Sequence, residues 1–90
     1  MKKTIITVVG NDGVGIIAKV CTYLAENNVN ILDITQTIVQ GYFSMMMVTD
    51  ASASSKDTAA LSQELADLGD SINVVIHCQH EDIFNKMHRI

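Results

Sequence analysis

The chain of 90 residues contains no proline, only two cysteines and only six Lys and Arg residues against ten acids. Each shortage removes a class of protein. With 48% hydrophobic and 18% charged residues, and no proline, the chain lacks the signature of a disordered or linker-rich segment and can bury a core. Cys21 and Cys78, without a signal segment, cannot build the disulfide framework of a small secreted domain. Of the basic residues, Lys2, Lys3 and Arg89 sit near the ends, so at net charge -4 no basic stripe remains for a nucleic acid. No apolar run approaches the roughly 20 residues of a membrane helix. The run behind Lys2 and Lys3 stops at Gly10-Asn11-Asp12, too short for a signal peptide. These absences imply a cytoplasmic protein with neither a membrane nor a nucleic-acid partner. Residues 1–90 make one domain, small enough that self-association is the expected supplement to its core.

What is present alternates between two periods. Residues 4–9, Thr-Ile-Ile-Thr-Val-Val, are β-branched throughout and predict a strand. Ile16, Val20 and Leu24, with Ile17 and Cys21 beside them, form one helical stripe, which Asn27-Asn28 ends. From Asn30 the pattern is extended, with Leu32, Ile34 and Ile38 on one face and Asp33, Thr35 and Thr37 on the other. Gln40-Gly41 supplies a turn into a third strand over 42–48. Small polar residues over 49–55 give a loop with a helix cap at Ser54 or Ser55. Leu61, Leu65 and Leu68 then mark a second helix, stopped by Gly69. Ile72, Val74, Ile76 and Cys78 form the apolar face of a fourth strand. The tail over 81–90, acids first and bases last with Ile83, Met87 and Ile90 along one edge, predicts a short C-terminal helix.

The order β-α-β-β-α-β is that of the ferredoxin-like α+β sandwich: a four-stranded antiparallel sheet with two helices on one face. Right-handed crossovers put both helices on the same side. The opposite face, carrying Val75, methionine and several threonines, is then bare and too apolar to stay fully wet without a partner or the tail over it.

One loop has the position for ligand binding. Gly10-Asn11-Asp12-Gly13-Val14-Gly15 lies between a strand and a helix start, where free N–H groups favour an anion. Its spacing matches neither the dinucleotide fingerprint nor the phosphate loop. Asp12 would repel a phosphate but could hold the ammonium of a zwitterion whose carboxylate meets the N–H groups, which favours a free amino acid. A tight turn capped by Asp12 or Asn11 accounts for the same residues without a ligand.

Asp12-Gly13-Val14-Gly15-Ile16, followed by Asn30-Ile31-Leu32-Asp33-Ile34, resembles the ACT domain, and the resemblance covers about the whole chain. The run over 42–47 and the ending over 83–90 resemble the small stand-alone ACT proteins of bacteria and archaea, to which the glycine-cleavage repressors are more distantly similar. The resemblance implies a dimer of paired sheets that binds a small ligand, commonly an amino acid, between subunits. Asn11, Asp12, Gly13, Gly15 and Ile16 would form the ligand loop, with Asn30 and Ile31 facing it from the second strand. Many ACT loops carry proline where this one has Val14.

Other chemistry is poorly supported. His77, Cys78 and His80 are close in sequence, but His77 and Cys78 point to opposite faces of a strand and cannot close one metal shell, even with His88 returning from the tail. Both cysteines fall at or beside packed apolar positions, which favour inert thiols. Glu64, Asp67 and Asp70 follow the solvated face of a helix. The expectation is therefore a regulatory module that binds a small molecule, without catalysis, cofactor or metal. Its output would pass to an unidentified protein partner. The alternative is a dimeric protein-interaction adaptor with no small ligand.

Overall fold

A computed structural model of the protein describes residues 3–11 and 15–80. The elements are β1 (Lys3–Asn11), α1 (Ile16–Glu26), β2 (Asn30–Val39), β3 (Tyr42–Asp50), α2 (Thr58–Ser71) and β4 (Val74–His80). The four strands form one sheet in the order β2-β3-β1-β4, and all three pairings are antiparallel. The two crossovers thus leave β1 and β3 central and β2 and β4 at the edges. This is the ferredoxin-like arrangement expected from the residue pattern.

The core lies between the sheet and both helices. Ile6 and Val8 of β1, Met45 and Met47 of β3, and Ile76 and Cys78 of β4 are buried against Val20 and Leu24 of α1 and Leu61 and Leu65 of α2. Met46, between two buried methionines, points to the open face, as strand alternation requires. The helix-facing side also buries two threonines that face each other, Thr4 and Thr49. Thr49 is fully buried, and its hydroxyl donates to the carbonyl of Thr4 at 2.8 Å.

Local chemistry explains most boundaries. Asn28 takes φ 58°, and the N–H of Val29 bonds back to the Leu24 carbonyl at 2.9 Å, closing α1 as a left-handed C-terminal cap does. The turn between β2 and β3 has positive φ at both Gln40 and Gly41, the twist that suits a two-residue hairpin.

Three expectations are corrected. The cap of α2 is Asp57, whose Oδ1 accepts the Ala60 N–H at 2.8 Å, rather than Ser54 or Ser55. Gly69 does not stop α2, which runs on to Ser71. A Cβ there would come within 2.7 Å of the Val74 carbonyl oxygen, so glycine lets the helix approach β4. In β2 the pairing shifts between Ile31 and Asp33, making Leu32 the extra residue of a bulge. Ile31, Ile34 and Ile38 therefore share the helix-facing side, opposite Thr49, Met47 and Phe43, while Asp33, Thr35 and Thr37 take the other side as expected. The tail helix expected over 81–90 lies outside the described residues. Among the described residues no helix is long and apolar enough to cross a membrane.

Candidate functional site

Of the loop residues, Asp12, Gly13 and Val14 lie outside the described residues, so the site is framed by its two ends. Asn11 closes β1 opposite Tyr42 and is exposed. Gly15 stands at the N-cap of α1 with φ 86° and ψ 0°, a left-handed conformation that glycine adopts without cost. A Cβ built there meets nothing within 4 Å, so strain rather than crowding selects glycine. Having no side chain, Gly15 supplies no capping acceptor to the first turn of α1. Ile16 turns into the core among the buried residues, whereas Ile17 faces outward. The loop thus presents backbone at the helix start and Ile17, not Ile16, as its apolar side chain.

Asn30 and Ile31 are not beside this loop within one chain. Asn30 opens β2 opposite Asp50, which in turn pairs with Lys3, while Asn11 pairs with Tyr42 at the other end of β3. At roughly 3.3 Å per residue the run from Tyr42 to Asp50 spans about 26 Å. Asn30 is exposed, and Ile31 packs partly against the core.

Residues without an evident sequence signal join Asn11 instead. A hollow of about 470 Å³ at the loop end of the sheet is lined by Asn11, Tyr42, Asp70 and Asn73 around Val9, Gly10, Val74 and Val75. Asp70 comes from the last turn of α2, and Asn73, with φ 61°, from the tight connection into β4. Their meeting depends on how close α2 lies to β4, which spacing along the chain does not reveal. Gly10 belongs to packing here, since a Cβ would lie 2.7 Å from Cγ1 of Val74.

A second polar cluster ties the two helices together. The Tyr23 hydroxyl donates to Oε1 of Glu64 at 2.7 Å, Lys56 Nζ reaches the same oxygen at 2.6 Å, and Lys56 sits 5.9 Å from the Tyr23 ring centroid. The hydrogen bond from Lys56, then that from Tyr23, holds the Glu64 carboxyl below its ordinary value. Burial, reinforced by the Glu64 bond, pushes the Tyr23 phenol well above its own. This cluster braces α1 against α2 rather than forming an acid–base pair, because neither group is moved toward neutrality. Burial pushes the Cys78 thiol up to about 11, and among the described residues no three His, Cys, Asp or Glu side chains converge on a point.

An ACT domain family model matches residues 2–79. The chain belongs to the ACT-domain family. A UPF0237 protein of Bifidobacterium longum is 62% identical over 90 residues, covering the whole of both chains. Among solved structures, an ACT domain protein from Streptococcus pneumoniae superposes with TM-score 0.82 at 43% identity, covering 92% of this chain and 93% of that one. A putative glycine cleavage system transcriptional repressor shares the fold with TM-score 0.77 at 23% identity, over 88% of this chain but 45% of that one. In that protein an ACT fold forms part of a longer chain, whereas the Bifidobacterium and Streptococcus proteins have essentially this chain's length.

Proposed function

We propose that this ACT domain is a regulatory ligand-binding module that acts as a homodimer and takes an amino acid between its subunits. The observation that carries the reading is the exposed edge of β2. Ile34 and Ile38 are 42% and 55% exposed, Leu32 stands out at the bulge, and Ile17 of α1 faces outward as well. An unpaired edge strand with an apolar row is a template for a second strand. Antiparallel pairing of β2 with β2 of a second copy about a two-fold axis would bury this row on both chains. It would also bring Asn30 of one copy to the end of the sheet where Asn11 and Gly15 of the other lie. Residues that lie at opposite ends of the sheet in one chain would then lie at the same end of the joint sheet, about three strand spacings or 14 Å apart, a gap for a ligand to span.

At such a site the start of α1 would give N–H groups to the ligand carboxylate. Asp12 would take the ammonium, and the amides of Asn11 and Asn30 would fix orientation. Ligand binding would stabilise one subunit arrangement over another, which is the coupling a regulator needs. Calorimetric titration of the full chain against the twenty amino acids, with sedimentation in parallel, tests this reading. We expect one or a few amino acids to give heat, a dimer in solution, and a loss of roughly 1.5–3 kcal/mol for Asp12→Asn through the charge-assisted bond. A dimer giving no heat with any amino acid would favour the second reading, a protein-interaction adaptor. The exposed Val9, Met46 and Val75 on the open face support that alternative. A monomer at high micromolar concentration would overturn the intersubunit site.

A further inference from the structure

The hollow at the loop end of the sheet holds a charge that the intersubunit site does not use. Its volume of about 470 Å³ is within the range of small-ligand clefts. The floor is apolar, with Val9 and Val75 paired across β1 and β4 and still 47% and 56% exposed. The rim is polar and is drawn from four places: Asn11 at the end of β1, Tyr42 at the start of β3, Asp70 in the last turn of α2 and Asn73 just before β4. Of the described lining, Asp70 alone carries a charge. Its position opposes the helix that bears it. The C-terminal end of α2 is the negative pole of the helix dipole, its last turn contains no basic residue, and Asp70 adds a second negative charge there. Chains break such local rules chiefly at functional sites, so the exposed carboxylate at this rim points to a cationic ligand.

We propose that this hollow binds a primary ammonium group carried on a short apolar stem, with Asp70 as its counter-charge. The remaining lining suits that cation. The side-chain amides of Asn11 and Asn73 bring carbonyl oxygens that accept N–H bonds, and the Tyr42 ring offers a π face to a positive charge. Val9 and Val75 take the methylene stem. An anion would be repelled by Asp70. A divalent metal would find a single carboxylate, because among the described residues no three His, Cys, Asp or Glu side chains converge. The same ammonium chemistry is carried by two kinds of molecule, the side chain of a basic amino acid and a free aliphatic diamine. Every described lining group belongs to one chain, so binding here does not rest on the dimer.

The test is amide NMR of the full-length labelled protein, titrated into the millimolar range with lysine, putrescine and norleucine, which keeps the four-carbon stem of lysine but lacks the terminal ammonium. Lysine, putrescine or both should shift the amides of Asp70 and Asn73, and norleucine should leave them in place. Asp70→Asn should weaken that binding by about tenfold or more, through loss of a charge-assisted bond. Putrescine binding assigns the hollow to diamines, and lysine binding without putrescine assigns it to a basic amino acid; either supports the proposal. Failure of both to shift Asp70 and Asn73 would overturn it. So would norleucine shifts as large as those of lysine, or an affinity unchanged in Asp70→Asn. Repeating the titration with Ile34→Lys, which removes the dimer edge, separates this site from the intersubunit one. Binding retained in a folded monomer supports the single-chain hollow whatever becomes of the dimer, and binding lost there overturns it.

Discussion

Met47 and Ile34 stand opposite each other on neighbouring strands and point to the same side of the sheet, yet Met47 is fully buried and Ile34 is substantially exposed. Their sequences do not predict the difference, since both lie in strands of alternating apolar residues. It arises because β3 is a central strand whose helix-facing row lies in the core, while β2 is an edge whose helix-facing row joins that core only partly, at Ile31. The inner row holds the fold together, and the outer row is available to a partner.

The largest effect is expected inside. Met47→Ala should cost about 2–5 kcal/mol in urea unfolding, because a core truncation removes apolar burial and leaves a cavity. A cost below 1 kcal/mol would mean that the centre of the sheet is no better packed than its edge. Gly69→Ala comes next, at about 1–3 kcal/mol, since its methyl would press on the backbone oxygen of Val74. The edge should behave differently. Ile34→Lys should change the stability of the isolated chain by less than about 1 kcal/mol while abolishing the dimer in sedimentation, as a charge does on an exposed edge strand. A large stability loss with an intact dimer would reverse the roles of the two rows.

Two smaller effects sharpen the contrast between interior and surface. Thr4 is almost fully buried, and among the described residues its hydroxyl finds no hydrogen-bond partner. Thr4→Val should therefore be neutral or stabilising by up to about 1 kcal/mol in thermal unfolding, because it removes an unsatisfied polar atom while keeping the shape. The half-buried cluster at Glu64 should brace the helices in a pH-dependent way. Its carboxyl is depressed in the folded state by Lys56 and then Tyr23, so its contribution is present above the ordinary carboxylate value and fades as pH falls through the folded one. The difference in melting temperature between wild type and Glu64→Gln should shrink between pH 7 and pH 3. A constant difference would show that the bonds to Lys56 and Tyr23 add nothing specific to the ionised carboxylate.

Much of the scaffold was legible from periodicity, and the misreadings have specific causes. The β-branched run ending at Val9 and the stripe of Ile16, Val20 and Leu24 declared themselves because a single element imposes their spacing. The cap of α2 was misplaced because serine and aspartate both suit that role, and only Asp57 meets the first turn. Gly69 was read as a stop because helix ends and close packing both select glycine. The bulge at Leu32 left no mark, because an inserted residue changes pairing without changing composition. For the loop, Gly15 was legible as part of the motif, but its left-handed backbone was not. That Ile16 turns inward followed from its i, i+4, i+8 spacing with Val20 and Leu24, whereas the resemblance had set it on the ligand loop, where the structure exposes Ile17 instead.

The sequence by itself determined which segments are strands and which are helices, their order and hence the ferredoxin-like topology, because hydrophobic period and chain connectivity are local properties. Tertiary structure alone decided which apolar rows are covered, since burial depends on where a strand sits in the sheet and what lies above it. It also placed Asn30 about 26 Å along the sheet from Asn11, by the rise of antiparallel strands, and brought Asp70 and Asn73 to Asn11 where α2 closes on β4. Neither relation is written in spacing along the chain, because both arise from contacts between elements distant in sequence.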